Sequence, residues 1–155
     1  MSYLEFDRAQ LINVKYSLGK EYLRTNKAGT FASSTIMNCH TRKYHGLLIT
    51  PLEYLDGGNH VLVSAIDETI IQRDAQFHMA VRKYPGKIHG GHKYFQDFVT
   101  DPVPALTFHV GGVTLRKEMI LAQDKVQVMI KYTLEEATSP TLLRLHPFLA
   151  FRNIH

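Results

Sequence analysis

The second half of the chain alternates between apolar and polar positions. Val126, Val128, Ile130, Tyr132 and Leu134 interleave with Gln127, Met129, Lys131 and Thr133. Period two places one parity on a buried face and the other against water, which predicts a strand. Leu106, Phe108 and Val110 alternate up to Gly111-Gly112, and Val113, Leu115, Lys117, Met119 and Leu121 continue beyond it. A Gly-Gly pair between two alternating runs predicts a tight hairpin, because a primed turn needs positive φ. Turns are predicted at Ala122-Gln123-Asp124 and again between Glu135 and Pro140. A last strand is predicted from Thr141 to Phe148, with Pro147 perturbing it or placing it at a sheet edge.

The middle of the chain is also strand-like. Gly46 to Thr50 is a short apolar run stopped by Pro51, and Asp56-Gly57-Gly58-Asn59 is loop chemistry. Strands are predicted over His60–Ile71 and Gln76–Val81. Tyr84 to Phe98, with Pro85, Gly86, Gly90, Gly91 and several aromatics, is expected to be a long ordered loop. Leu4 to Leu23 reads as helix or as two strands; the alternation of Val14, Tyr16 and Leu18 before Gly19 favours strands. Repeats, heptads and low-complexity tracts are not evident. Many short strands with regular turn signals predict an all-β, antiparallel sandwich or barrel with at most short helical turns.

The 155 residues suit one domain over residues 1–155, and 45% hydrophobic with 21% charged residues is ordinary for a soluble globular chain. No run approaches the roughly 20 apolar residues of a bilayer span, so no membrane association is expected. The first residues carry no secretory pattern, and Cys39 is the one cysteine, which excludes an internal disulfide. A cytoplasmic location is the expectation. The net charge of +4 is scattered, with small clusters at Arg42-Lys43 and Arg82-Lys83, so nucleic acid is not an expected partner.

Candidate chemistry is sparse. Asp67-Glu68 on a strand point to opposite faces and cannot flank one glycosidic bond, and Glu135-Glu136 fall in a predicted turn. Among nine histidines, the spacings of His89 with His92 and of His40 with His45 match no zinc pattern, so no metal and no cofactor is expected. Cys39-His40 are sequence neighbours, whereas nucleophilic dyads are assembled in space. No glycine-rich phosphate loop or nucleophile elbow is present. The conspicuous block is Tyr22 to Thr35 followed by Thr41 to Leu48. There, Arg42, Tyr44 and His45 offer the hydrogen-bonding groups and aromatic face that sugars require, or else they pack a strand entrance and cap a loop.

That block resembles the N-terminal domain of prokaryotic-type glycogen debranching enzymes, the amylo-α-1,6-glucosidases. Their pattern is close to L-x-T-N-x-x-G-x-[YF]-A-S-x-T, then N-T-R-[RK]-Y-H-G-L-L. Here it reads Leu23, Thr25, Asn26, Gly29, Phe31, Ala32, Ser33 and Thr35, then Thr41 through Leu48. The likeness continues through Tyr84-Pro85-Gly86, Phe95–Phe98, Asp101-Pro102, Gly111–Leu115 with Lys117, and Leu143 to the terminal Arg152 and His155. Lys27, Thr30 and Ser34 stand where the family commonly has glycine, and Cys39-His40 precede Thr41.

The resemblance implies a supersandwich β-domain before a helical (α/α) toroid that hydrolyses the α-1,6-linked glucose at glycogen branch points. The toroid is expected downstream of this chain. No catalytic residue is expected here, and the chain alone is expected to be inactive. Arg42, Tyr44, His45, Arg152 and His155 are the candidates for a substrate rim or interdomain face. The implied partners are the catalytic toroid and glycogen or another α-glucan. Two rivals differ in class: a stand-alone carbohydrate-binding module using Tyr94, Phe95 and Phe98, although packing of the sandwich edge is the favoured reading of those aromatics, and an interaction domain whose exposed apolar face could also form a homodimer.

Overall fold

A computed structural model describes residues 4–155; Met1, Ser2 and Tyr3, the start of the expected 1–155 unit, lie outside the described residues. The elements run β1 (Glu5–Phe6), α1 (Arg8–Ile12), α2 (Val14–Leu18), β2 (Glu21–Thr25), β3 (Phe31–Thr35), β4 (Gly46–Pro51), β5 (Asn59–Gln72), β6 (Ala75–His78), β7 (Val81–Tyr84), β8 (Lys87–Gly90), β9 (Phe95–Val99), β10 (Ala105–Val110), β11 (Val113–Leu121), β12 (Val128–Glu136) and β13 (Leu142–Asn153). One sheet has the order β1-β9-β10-β11-β12 and the other β13-β5-β4-β3-β2, with β6 also on β5. All pairings are antiparallel, as the all-β reading expected.

The core lies between the sheets. Phe95, Phe98, Leu106, Phe108, Leu115 and Met119 come from one sheet and Tyr22, Ala32, Leu47 and Ile70 from the other. The Gly-Gly hairpin forms as predicted: Val110 pairs with Val113, and Gly111 and Gly112 take φ of 58° and 76°. The last strand runs on to Asn153, and Pro147 sits in an edge strand, where its missing N–H costs no ladder bond if it faces outward.

Three expectations are corrected. Within Leu4–Leu23, residues 8–18 are two five-residue helices rather than strands. Their starts are capped locally. Asp7 and Gln10 form a reciprocal capping box, and Asn13 Oδ1 accepts from Tyr16 N at 3.2 Å. These caps override a three-residue alternation, and Leu11 is delivered fully buried to the core. The Gln76–Val81 strand divides into β6 and β7, because Met79 between them plugs into the core. The expected loop over Tyr84–Phe98 is instead mostly regular. A tight turn at Pro85-Gly86 joins β7 to β8, and a 3₁₀ turn over His92–Tyr94 leads into β9. Its glycines and proline punctuate short elements rather than mark an extended loop.

Candidate functional site

The loop from Ile36 to His45 joins β3 to β4 and is built from its own side chains. Thr35 Oγ1 donates to Cys39 O at 2.8 Å and accepts from Cys39 N at 3.1 Å. His45 closes the far end. Its Nδ1 accepts from the backbone N–H of Thr41 at 3.0 Å and of Arg42 at 3.3 Å, and the residue is fully buried. A ring nitrogen that accepts two N–H groups carries no proton, so Nε2 holds it. That Nε2–H points toward Glu21 Oε2 on β2, 3.6 Å away and beyond hydrogen-bond reach.

Glu21 is the centre of the cluster. Its carboxylate also binds Arg42 Nε in a short ion pair. Burial works to raise the Glu21 pKa, and the Arg42 hydrogen bond with the His45 and Arg42 charges outweighs it, leaving the pKa lowered. Burial pushes His45 the other way, below its ordinary value, with Glu21 opposing and Arg42 assisting. The imidazole is therefore neutral at pH 7. Tyr44 stands edge-on to His45, with centroids 5.4 Å apart, and the Arg42 guanidinium lies 5.9 Å from the Tyr44 ring centroid. From β13, Arg152 Nη2 donates to Lys43 O at 2.9 Å.

Beside this cluster, the outer face of β2 and β3 forms an open hollow of about 470 Å³. Leu23, Phe31, Tyr44 and Ile154 supply its apolar walls and Glu21 its polar end. The structure thus gathers four of the five sequence candidates: Arg42, Tyr44, His45 and Arg152. His155 is not drawn in; its N–H binds Asn153 Oδ1 at 2.8 Å, and the residue is exposed. Glu21 and Ile154 were not legible as site residues, and Leu23 and Phe31 were legible only as part of the motif block. What brings the four together is register across residues far apart in the chain.

Other candidates have settled roles. Glu68 faces inward to Lys117 and Tyr132, whereas its neighbour Asp67 binds Arg82. The two carboxylates therefore diverge, as strand geometry predicts. Glu135 and Glu136 are exposed at the end of β12. Burial pushes the Cys39 thiol up, away from the reactive thiolate. Phe95 and Phe98 are each 1% exposed and Tyr94 packs against the core, so they offer no sugar platform and the feature that motivated a stand-alone binding module is lost. Among the described residues no three His, Cys, Asp or Glu side chains gather to hold a metal ion. No helix of the described residues is long and apolar enough to cross a membrane.

The family model described as glycogen debranching enzyme N terminal matches residues 20–155. The chain belongs to this family. No curated protein and no solved structure matches it. In this debranching-enzyme N-terminal domain the match spans β2 to β13 and leaves out the two short helices. Several residues that carry the resemblance are structural. Asn26 bridges turns of both sheets, Lys117 is buried in an ion pair, and Gly46 packs against Ile49 and Val61.

Proposed function

We propose that this chain is the non-catalytic N-terminal β-sandwich of a glycogen-debranching glucosidase acting in the cytoplasm. Residues 1–155 form one unit, and hydrolysis of α-1,6-linked glucose belongs to a downstream (α/α) toroid with two carboxylates of its own. The sandwich buttresses that toroid, and the face bearing Arg42, Tyr44, His45 and Arg152, with His155 at its margin, lines one side of the glucan groove. The family match over residues 20–155 carries this reading. The internal carboxylates support it. Among the described residues, Glu68 and Asp67 are each held by a cation and Glu21 is held by Arg42, so none of these three is a free carboxylate. Incubating the chain with branched limit dextrin is expected to release no glucose above background. Glucose release would falsify the non-catalytic assignment.

A protein-interaction role for the free edge strands is compatible with the same reading. On β13, Leu149 is 78% exposed and Phe151 64% exposed, and Met129 and Leu134 on β12 are also exposed. Such residues suit contact with a partner domain or a second copy of the chain. Sedimentation across a concentration series separates the two: a concentration-dependent dimer supports self-association, and a monomer throughout favours the partner domain.

A further inference from the structure

Apart from the hollow on β2 and β3, a second cleft of about 240 Å³ lies where β5, β7 and β13 meet the loop after β3. His40, Ser64, Arg82, Lys83, Tyr84 and Phe148 contribute to its walls, and no carboxylate lines it. Arg82 is fixed in place. Its Nη1 donates to Val81 O at 3.2 Å, its Nη2 binds Asp67, and its guanidinium carbon lies 5.6 Å from the Phe148 ring centroid. Asp67 balances the Arg82 charge. Lys83 makes no ion pair among the described residues, so its charge is not balanced there.

The field in the cleft is positive. Burial, with His45, Arg82, Lys117 and Arg152 acting in the same direction, lowers the His40 pKa from its ordinary 6.5 to about 4. The His40 ring is therefore neutral at pH 7 and makes no hydrogen bond to the described residues. Arg82 and Lys83 of β7, Ser64 of β5 and His40 of the loop after β3 thus line the cleft from three segments of the chain. A planar carboxylate suits a single fork of donors, whereas a tetrahedral phosphate accepts donors from several directions. Tyr84 and Phe148 are partly exposed rings, and they leave room for a carbon skeleton beside the anion.

We propose that this cleft binds a small phosphate monoester, its anion held by Lys83, Arg82 and Ser64 and its carbon skeleton set against Tyr84 and Phe148. This site does not depend on the debranching assignment.

The test titrates inorganic phosphate, glucose 6-phosphate and glucose separately into the whole chain, followed by His40 ring-proton resonances and calorimetry. Both phosphates are expected to give saturable shifts and to raise the His40 pKa above about 4. The sugar phosphate is expected to bind about tenfold tighter than phosphate, and glucose alone not to bind. Lys83→Met is expected to weaken both phosphates by about tenfold with an unchanged melting temperature. No saturable response at millimolar phosphate, or equal affinity in Lys83→Met, overturns the site. Equal affinity for phosphate and the sugar phosphate overturns the seat on Tyr84 and Phe148.

Discussion

Lys117 on β11 and Glu68 on β5 form an ion pair in the space between the two sheets, their side chains 6% and 4% exposed. The Tyr132 hydroxyl donates to the same carboxylate at 2.6 Å, and burial with the Glu68 charge and that hydrogen bond raises its own pKa. Two charges removed from water are tolerated here because each answers the other and the third group satisfies a remaining lone pair. Lys117→Met strands the Glu68 charge and is expected to cost about 3–5 kcal/mol, measured by denaturant unfolding. Glu68→Leu in that background should recover much of the loss. Tyr132→Phe is expected to cost about 1–3 kcal/mol. If Lys117→Met unfolds at the same midpoint as the parent chain, the pair is not buried as described.

Asn26 links the ends of the two sheets. Its Nδ2 donates to Ala122 O at 2.7 Å and Lys125 O at 2.9 Å, and its Oδ1 accepts from Ala28 N and Thr30 N, both at 3.0 Å. Asn26→Ala is expected to destabilise the chain by about 2–4 kcal/mol. Asn26→Asp keeps the acceptor but turns a carboxylate oxygen toward two carbonyls. It should lose at least as much at pH 7, and thermal melts of both variants check the order.

Gly46 is required by proximity. A Cβ there would lie 3.1 Å from both Ile49 Cγ1 and Val61 Cγ1, and both side chains are fully buried. Gly46→Ala is expected to cost about 1–3 kcal/mol by overpacking. Combining it with Val61→Ala should make the double variant less unstable than the sum of the two singles, a coupling that a double-mutant cycle reads directly.

Stability should fall as pH drops from about 7 to about 4. Between the ordinary histidine value of 6.5 and about 4, His40 holds a proton in the unfolded chain but not in the folded one. Acid therefore favours unfolding across that window. Burial lowers the His45 and His92 pKa values as well, and both act in the same direction. Removing the His40 contribution with His40→Gln is expected to reduce the loss between pH 7 and pH 4 by about 1–3 kcal/mol. An unchanged pH slope in that variant would show that His40 titrates normally in the fold.

The hairpin of β10 and β11 was readable in the sequence because strand period and turn chemistry are both local. The same parity set Lys117 in line with Val113, Leu115 and Met119, so its inward direction was visible although its partner Glu68 was not. The helices of residues 8–18 were misread because two side-chain caps outweigh a brief alternation. The region after Tyr84 was misread because glycine and proline mark tight turns as readily as long loops. Phe95 and Phe98 could be read as exposed rings or as packing aromatics, with packing favoured, and the core places both inside.

By itself, then, the sequence determined what depends on neighbours along the chain. The strand periods, the Gly111-Gly112 turn, the divergence of Asp67 and Glu68, and the motif block around His45 are all of this kind. Only the tertiary structure decided that Glu21 meets Arg42 and approaches His45, that Lys117 answers Glu68, and that His40, Lys83 and Phe148 share a cleft. Those contacts rest on strand order and register between segments separated by tens of residues. Periodicity specifies the face on which a side chain lies, but packing of the whole core selects which segment it faces.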